Sequence, residues 1–131
     1  MTTTAWTTEE LDRIDGAGEV DIATRRADGS LRSDRIVWTV RHGDAVYVRS
    51  VNGVDAAWYR GVQTRHEGRL AAAGLRRDIA FVESGEHADG DRGLDDALDE
   101  AYRVKYGRTS SPVARITADL ARATTLRLDP A

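Results

Sequence analysis

The segment "YVRSVNGVDAAWYRG", Tyr47 to Gly61, holds the junction on which the fold is decided. Its first half continues the alternating run "AVYVRSV", in which Val46 and Val48 share one face and Ala45, Tyr47, Arg49 and Val51 the other. Asn52-Gly53 is a turn signal, and "DAAWYRGVQ" reads as a short helix. A strand, a glycine turn and a helix start in succession aim backbone N–H groups and the positive helix end at one point, a geometry that receives a phosphate. Arg49 adds charge-assisted hydrogen bonds there and Ser50 a neutral one. The competing reading has Asn52 or Asp55 simply capping the helix. Strand phase puts Val46 and Val48 on the buried face and leaves Tyr47 and Arg49 on the other, where a ligand or a second subunit meets them.

Upstream of this segment the pattern is a helix followed by a meander. Thr7 and Glu10 have capping-box spacing, and Trp6 and Leu11 stand at the positions of a hydrophobic staple. Leu11 and Ile14 form the buried face of this first helix, and Gly16 and Gly18 end it. "EVDIATRR" alternates Val20, Ile22 and Thr24, and Asp28-Gly29 turns the chain. "RIVWTVR" alternates Ile36, Trp38 and Val40 as an inward face before the turn "RHGDA".

Downstream, "GRLAAAG" and "RDIAFVE" read as strands, with the turn between them at Gly74-Leu75-Arg76. "SGEHADGDRG" reads as an exposed, mobile loop. "LDDALDEAYRVKYG" is a helix with Leu94, Leu98, Ala101, Tyr102 and Lys105 on one stripe and Asp95, Asp96 and Asp99 facing away. A last helix starts at Ser111 as cap with Pro112 at its first position, burying Val113, Ile116 and Leu120, and "TTLRLDP" closes as a strand. The sum is an α+β chain: a small antiparallel closed or split β-barrel of five to six strands with peripheral helices, forming one domain over residues 1–131.

Composition narrows the chemistry. There is no cysteine, which excludes disulfides, thiolate metal sites and cysteine nucleophiles. His42, His66 and His87 are scattered without ligand spacing, the acidic run from Glu83 to Glu100 lacks calcium-loop periodicity, and no metal is expected. No serine sits in a nucleophile elbow. The net charge of −3 argues against nucleic acid and anionic membranes as partners, and no apolar run reaches bilayer length. The first residues lack the pattern of a secretory signal, so a cytoplasmic location is expected. Of 19 basic residues only Lys105 is lysine, so nearly every cation is an arginine fork suited to phosphate or carboxylate.

From Thr24 to Gln63, "TRRADGSLRSDRIVWTVRHGDAVYVRSVNGVDAAWYRGVQ" resembles the deazaflavin-dependent nitroreductase family within the flavin-binding split-barrel group. The early tryptophan with its helix, "IVW", "YVRS", "WYRG", "AYRVKYG" and "TTLRLDP" resemble an uncharacterised bacterial family, a domain of unknown function. The resemblance implies an oxidoreductase that binds FMN or a deazaflavin and passes a hydride to a small acceptor, with the cofactor site at a homodimer interface. Matched residue by residue, Arg26, Ser30 and Arg32 fall near the family's basic turn. Ser50, Asn52 and Gly53 fall on its phosphate loop, with Arg49 before them, and Trp58 and Tyr59 on its helix. The chain departs from the family where "RADGS" replaces a lysine-serine-glycine turn and introduces Asp28. A non-catalytic binding or interaction domain on the same barrel is the alternative that this departure favours. Tyr102, Lys105 and Tyr106 are further candidates for lining a cleft, against helix packing for Tyr102 and a surface position for Lys105.

Overall fold

The computed structural model describes residues 5–131. Helix α1 spans Thr8–Gly16, β1 Val20–Thr24, β2 Arg35–Val37, β3 Thr39–His42 and β4 Ala45–Val48. A single 3-10 turn, Gly53–Asp55, precedes α2 at Ala57–Thr64, followed by β5 at Glu67–Ala72 and β6 at Leu75–Glu83. Four helices then run in series before the last strand: α3 Glu86–Asp89, α4 Arg92–Tyr106, α5 Ser111–Ile116, α6 Asp119–Arg122 and β7 Leu126–Pro130.

The seven strands form one antiparallel sheet ordered β2-β1-β5-β6-β7-β4-β3. Its two end strands are consecutive in the chain, separated only by Trp38. The run that reads as one strand is therefore shared: its first half pairs with β1 and its second with β4, and the sheet curls into a nearly closed split barrel. Closure leaves little free edge. This accounts for seven strands where five or six are expected, since the run has no turn residue to mark the switch.

Alternation holds through Trp38, but the buried face differs from the expected one. Val20 stands opposite Val37 and Val48 opposite Thr39, so Val37 and Thr39 face the barrel interior. Ile36, Trp38 and Val40 take the outer face: Ile36 is 62 % exposed, Trp38 half-buried, and Val40 buried under α4. Helix α4 also covers Tyr47, which packs in a second cluster with Val40, Leu98, Tyr102 and Ile116. The expectation that Tyr47 and Arg49 meet a ligand or a second subunit is corrected: their face belongs to α4.

The first core fills the barrel with Val20, Ile22, Val46, Val48, Leu70, Ile79, Phe81, Leu126 and Leu128, closed by Trp6, Leu11 and Ile14 with α1 and by Tyr59 and Val62 of α2. The capping box of Thr7 and Glu10 forms, and Trp6 is buried with its indole N–H donating to the Leu128 carbonyl at 2.8 Å. The Thr39 hydroxyl is buried in this interior and finds no partner among the described residues. Thr39→Val is expected to raise stability by about 1 kcal/mol, because an unsatisfied buried hydroxyl keeps its desolvation penalty. Urea denaturation checks this as a higher midpoint at unchanged slope.

Local corrections follow the same logic of tertiary partners. Ala72 pairs with Leu75, so the hairpin turn is Ala73-Gly74, both at positive φ. The expected mobile loop carries α3, and His87 Nε2 donates to the Thr125 carbonyl at 3.0 Å. The cap of α5 is Ser110, one residue before the expected Ser111, and Leu120 is 59 % exposed because the helix breaks before Asp119. Lys105 is half-buried rather than superficial, donating to the Thr39 carbonyl at 2.9 Å and the Ile14 carbonyl at 3.4 Å. No helix among the described residues is long and apolar enough to cross a membrane.

Candidate functional site

The open side of the barrel at β2, where α2 leans on β1, carries two adjoining pockets. The smaller, about 200 Å³, is lined by Ile22, Thr24, Arg26, Arg32, Ser33, Arg35, Ala57 and Trp58. The larger, about 400 Å³, lies beside Ile36, Val37 and Trp38, the loop Arg49 to Asn52, Ala56 and Pro112. Arg35, Ala57 and Trp58 belong to both linings.

The smaller pocket gathers three guanidinium groups and no carboxylate. Arg32 is fixed through one nitrogen, Nη1, which donates to the Arg25 carbonyl at 2.8 Å and to Thr24 Oγ1 at 3.4 Å. Arg26 is fixed similarly, Nη1 donating to the Leu31 carbonyl at 2.9 Å and to Ser30 Oγ at 3.3 Å. Both keep further N–H donors. Helix α2 brings its N-terminus to the same place: its cap residue is Ala56, without a side-chain cap, and its first-turn residues Ala57 and Trp58 line both pockets. First-turn N–H groups have no partner within a helix, so this end presents open donors and the positive dipole end. Gly61 permits the approach, because a Cβ there would stand 2.6 Å from Thr24 Oγ1 and 3.2 Å from Arg32 Nη1.

Asp28, the residue that departs from the family turn, is absent from the linings of both pockets. Its Oδ1 accepts from the Ser30 hydroxyl at 2.7 Å and the Ser30 N–H at 2.9 Å, and these bonds hold its pKa below the ordinary carboxylate value. The carboxylate is thus turned into its own turn, not toward the arginines.

Of the residues expected at the site, Arg26, Arg32, Arg49, Ser50, Asn52 and Trp58 are brought together around the two pockets. Ser30 is not; it serves the turn with Asp28. Gly53 is buried at φ +71° against Leu120, where a Cβ would stand 2.6 Å from Leu120 Cγ. Tyr59 points into the barrel core, its hydroxyl donating to Glu83 Oε1 at 3.4 Å, with burial first and the Glu83 charge next pushing its pKa up to about 12.

The loop itself is largely satisfied internally. The Ser50 hydroxyl donates to the Gly53 carbonyl at 2.7 Å, the Ser50 N–H to Thr124 Oγ1 at 2.8 Å, and Asn52 Oδ1 accepts from Arg115 at 2.9 Å. Neither Asn52 nor Asp55 caps α2.

Arg49 is the main correction among the candidates. Its side chain is fully buried, with Nη1 on Asp99 Oδ1 at 2.5 Å and the Ile116 carbonyl at 3.2 Å, and Nη2 on the Asp95 carbonyl at 3.0 Å and Asp95 Oδ1 at 3.1 Å. Nε donates to Thr125 Oγ1 at 3.1 Å. All five donors are engaged, so none remains for a ligand. Asp95 and Asp99, expected on the solvent face of α4, are buried at 1 % and 6 % exposure because they neutralise this cation. Arg35, Ser33, Trp38 and Pro112 escape a reading of single motifs. The one available signal is that Arg35 keeps the period of Val37 along β2.

The family model "Uncharacterized protein conserved in bacteria (DUF2255)" matches residues 10–128. The chain belongs to this family. None of the curated proteins matches the sequence. Among solved structures, the DUF2255 chain is similar to HutZ, described as the heme storage protein from Vibrio cholerae, at 12 % identity and TM-score 0.61, covering 94 % of this chain and 88 % of that one. It is similar to an F420-H2 dependent reductase (FDR-A) at 13 % identity and TM-score 0.53, covering 87 % and 94 %. An FAD and heme binding protein from Mycobacterium smegmatis matches at 19 % identity and TM-score 0.52, covering 98 % and 67 %. At these identities the likeness establishes the fold alone, a split barrel.

Proposed function

We propose that the two pockets are one cofactor site, holding a phosphate-bearing flavin or deazaflavin from which a hydride passes to a small acceptor. The observation that carries this is the smaller pocket: Arg26, Arg32 and an open helix start converge there without a lining carboxylate. Such a set fits a phosphate, which carries about −1.5 to −2 charge and takes arginine forks and helix N–H groups together. The larger pocket adjoins it with Trp38, Trp58, Val37 and Val51 in its lining, an apolar space within the roughly 300–1,000 Å³ range of small-molecule sites and suited to a planar ring.

When bound, the flavin-type ring supplies the hydride chemistry. The chain's own residues bind and orient. Arg26 and Arg32 hold the phosphate from positions set by their backbone contacts, α2 adds N–H donors, and the apolar walls exclude water from the ring. Structural relatives described as an F420-H2 dependent reductase and as an FAD and heme binding protein support the class of ligand. Heme fits the donor set poorly: the two linings contain no histidine, cysteine, methionine or tyrosine to serve as an axial ligand.

The test compares FMN with riboflavin, which differs by the phosphate, by calorimetry and by thermal shift, with a deazaflavin run in parallel. FMN is expected to bind about 10–100-fold tighter than riboflavin, the size of one or more charged hydrogen bonds. At a hundredfold excess over Kd it should stabilise the fold by about 2.7 kcal/mol. Arg26→Gln is expected to remove most of the preference and to steepen no salt dependence. Equal binding of FMN and riboflavin, or binding of neither flavin nor deazaflavin, would leave the non-catalytic barrel as the better reading.

A further inference from the structure

Arg35 has no evident task in holding the phosphate, and it faces the larger pocket. In β2 it stands directly opposite Ile22 and in phase with Val37, but at the start of this end strand it is exposed. It lines both pockets, and among the described residues its side chain makes one hydrogen bond, a long one from Nη1 to the carbonyl of its neighbour Asp34 at 3.3 Å. Among the described residues it makes no ion pair, in contrast to Arg41, Arg49, Arg65, Arg122 and Arg127.

Charge balance assigns the arginines. Arg26 and Arg32, both anchored on backbone carbonyls, offset the roughly −1.5 to −2 charge of a phosphate. The start of α2 supplies further donors to the same group. That leaves one solvent-exposed guanidinium without an ion pair at the rim of an apolar pocket whose lining contains no carboxylate. A planar fork in that position matches a carboxylate bidentately.

We infer that Arg35 determines specificity at the larger pocket, and that the acceptor this site takes is a planar, carboxylate-bearing compound, not a neutral one. The inference rests on reading the two pockets as one cofactor-and-acceptor site. Arg26 and Arg32 hold the cofactor's phosphate and the larger pocket its ring; Arg35, at the exposed rim of that pocket, pairs with the anionic group of the second molecule laid against the ring.

Two probes of nearly equal shape separate charge from ring, namely 4-nitrobenzoate and its methyl ester. Their binding to the full chain is measured by calorimetry, with and without saturating FMN, in the wild type and in Arg35→Gln and Arg35→Lys. The acid is expected to bind at least about tenfold tighter than the ester in the wild type. Arg35→Gln should abolish that preference, and Arg35→Lys should restore part of it, while the FMN-to-riboflavin ratio stays at its wild-type value in both. The inference is overturned if acid and ester bind alike in the wild type. It is equally overturned if the preference survives in Arg35→Gln, or if that variant loses the FMN preference instead, which would place Arg35 on the phosphate. The flavin ratio is read separately on the same protein, so failure of the cofactor proposal shows as loss of that ratio in the wild type and is not confused with failure of this one.

Discussion

Replacing Arg49 with methionine is expected to destabilise the protein by about 3–5 kcal/mol, the cost of stranding buried carboxylates without their cation. The side chain is shut off from solvent and paired with Asp95 and Asp99, whose side chains are 1 % and 8 % exposed. Forming such a cluster from water contributes little net stability, because desolvating the charges offsets most of their attraction. Breaking it is different, since the desolvation has already occurred and the compensation is withdrawn. Asp99 retains Arg122 Nη1 at 2.6 Å, whereas Asp95 keeps only neutral donors, Thr125 Oγ1 and the Glu86 N–H, both at 2.9 Å.

Adding Asp95→Asn to Arg49→Met should therefore recover part of the loss, and a double-mutant cycle should report a coupling well above the scatter of independent sites. Chemical denaturation measures both, and the single variant should also melt lower by roughly 3–5 °C per kcal/mol at this chain length. A single-variant cost below about 1 kcal/mol would mean that the cluster is not dry. The same variant separates packing from binding. If Arg49 serves only the fold, the folded fraction of Arg49→Met keeps the wild-type preference for FMN over riboflavin.

The second large effect is alkaline. All four tyrosines have phenols held above their ordinary pKa, chiefly because burial disfavours the phenolate: Tyr47, Tyr59 to about 12, Tyr102 and Tyr106. For Tyr59 the Glu83 carboxylate adds to the shift, whereas for Tyr102 the Arg49 charge opposes it. Each raised pKa means that the folded chain keeps a proton which the unfolded chain has released. Stability from these groups is complete below the unfolded value of about 10 and is lost as pH climbs toward the folded values. Lys105 works with the opposite sign, because burial lowers its pKa and the unfolded chain then binds the extra proton below about 10.5. One lysine against four phenols leaves the balance with the tyrosines. The urea midpoint is expected to fall steeply from about pH 10 upward, with phenolate absorbance rising together with the loss of structure. Gradual phenolate absorbance from a folded chain near pH 10 would refute this.

Much of the fold was readable because the rules that carry it act over a few residues. The spacing of Thr7 and Glu10 produced a real capping box, and the alternation of Val20, Ile22 and Thr24 produced a strand with those residues buried. The helix after Asn52-Gly53 forms, with Trp58 at its start beside the pockets. The candidate site was half readable for the same reason. Arg26 and Arg32 lie close in sequence to the turn that positions them, while Arg35 enters the site only through its pairing opposite Ile22.

What the amino-acid sequence determined by itself was periodicity, capping and turns, which follow from backbone sterics and neighbours within one or two turns of chain. Which face of each element is covered was decided by the tertiary structure. "RIVWTVR" shows its alternation locally, but only the pairing of its halves with β1 and β4 makes Val37 and Thr39 interior and leaves Ile36 in solvent. The opening segment was decided in the same way. Its arginine looked like a ligand for phosphate until partners 46, 50 and 76 residues away enclosed it. A lone arginine next to a glycine turn is a free cation by every local rule, and the cost of burying a charge depends on what the rest of the chain brings to meet it.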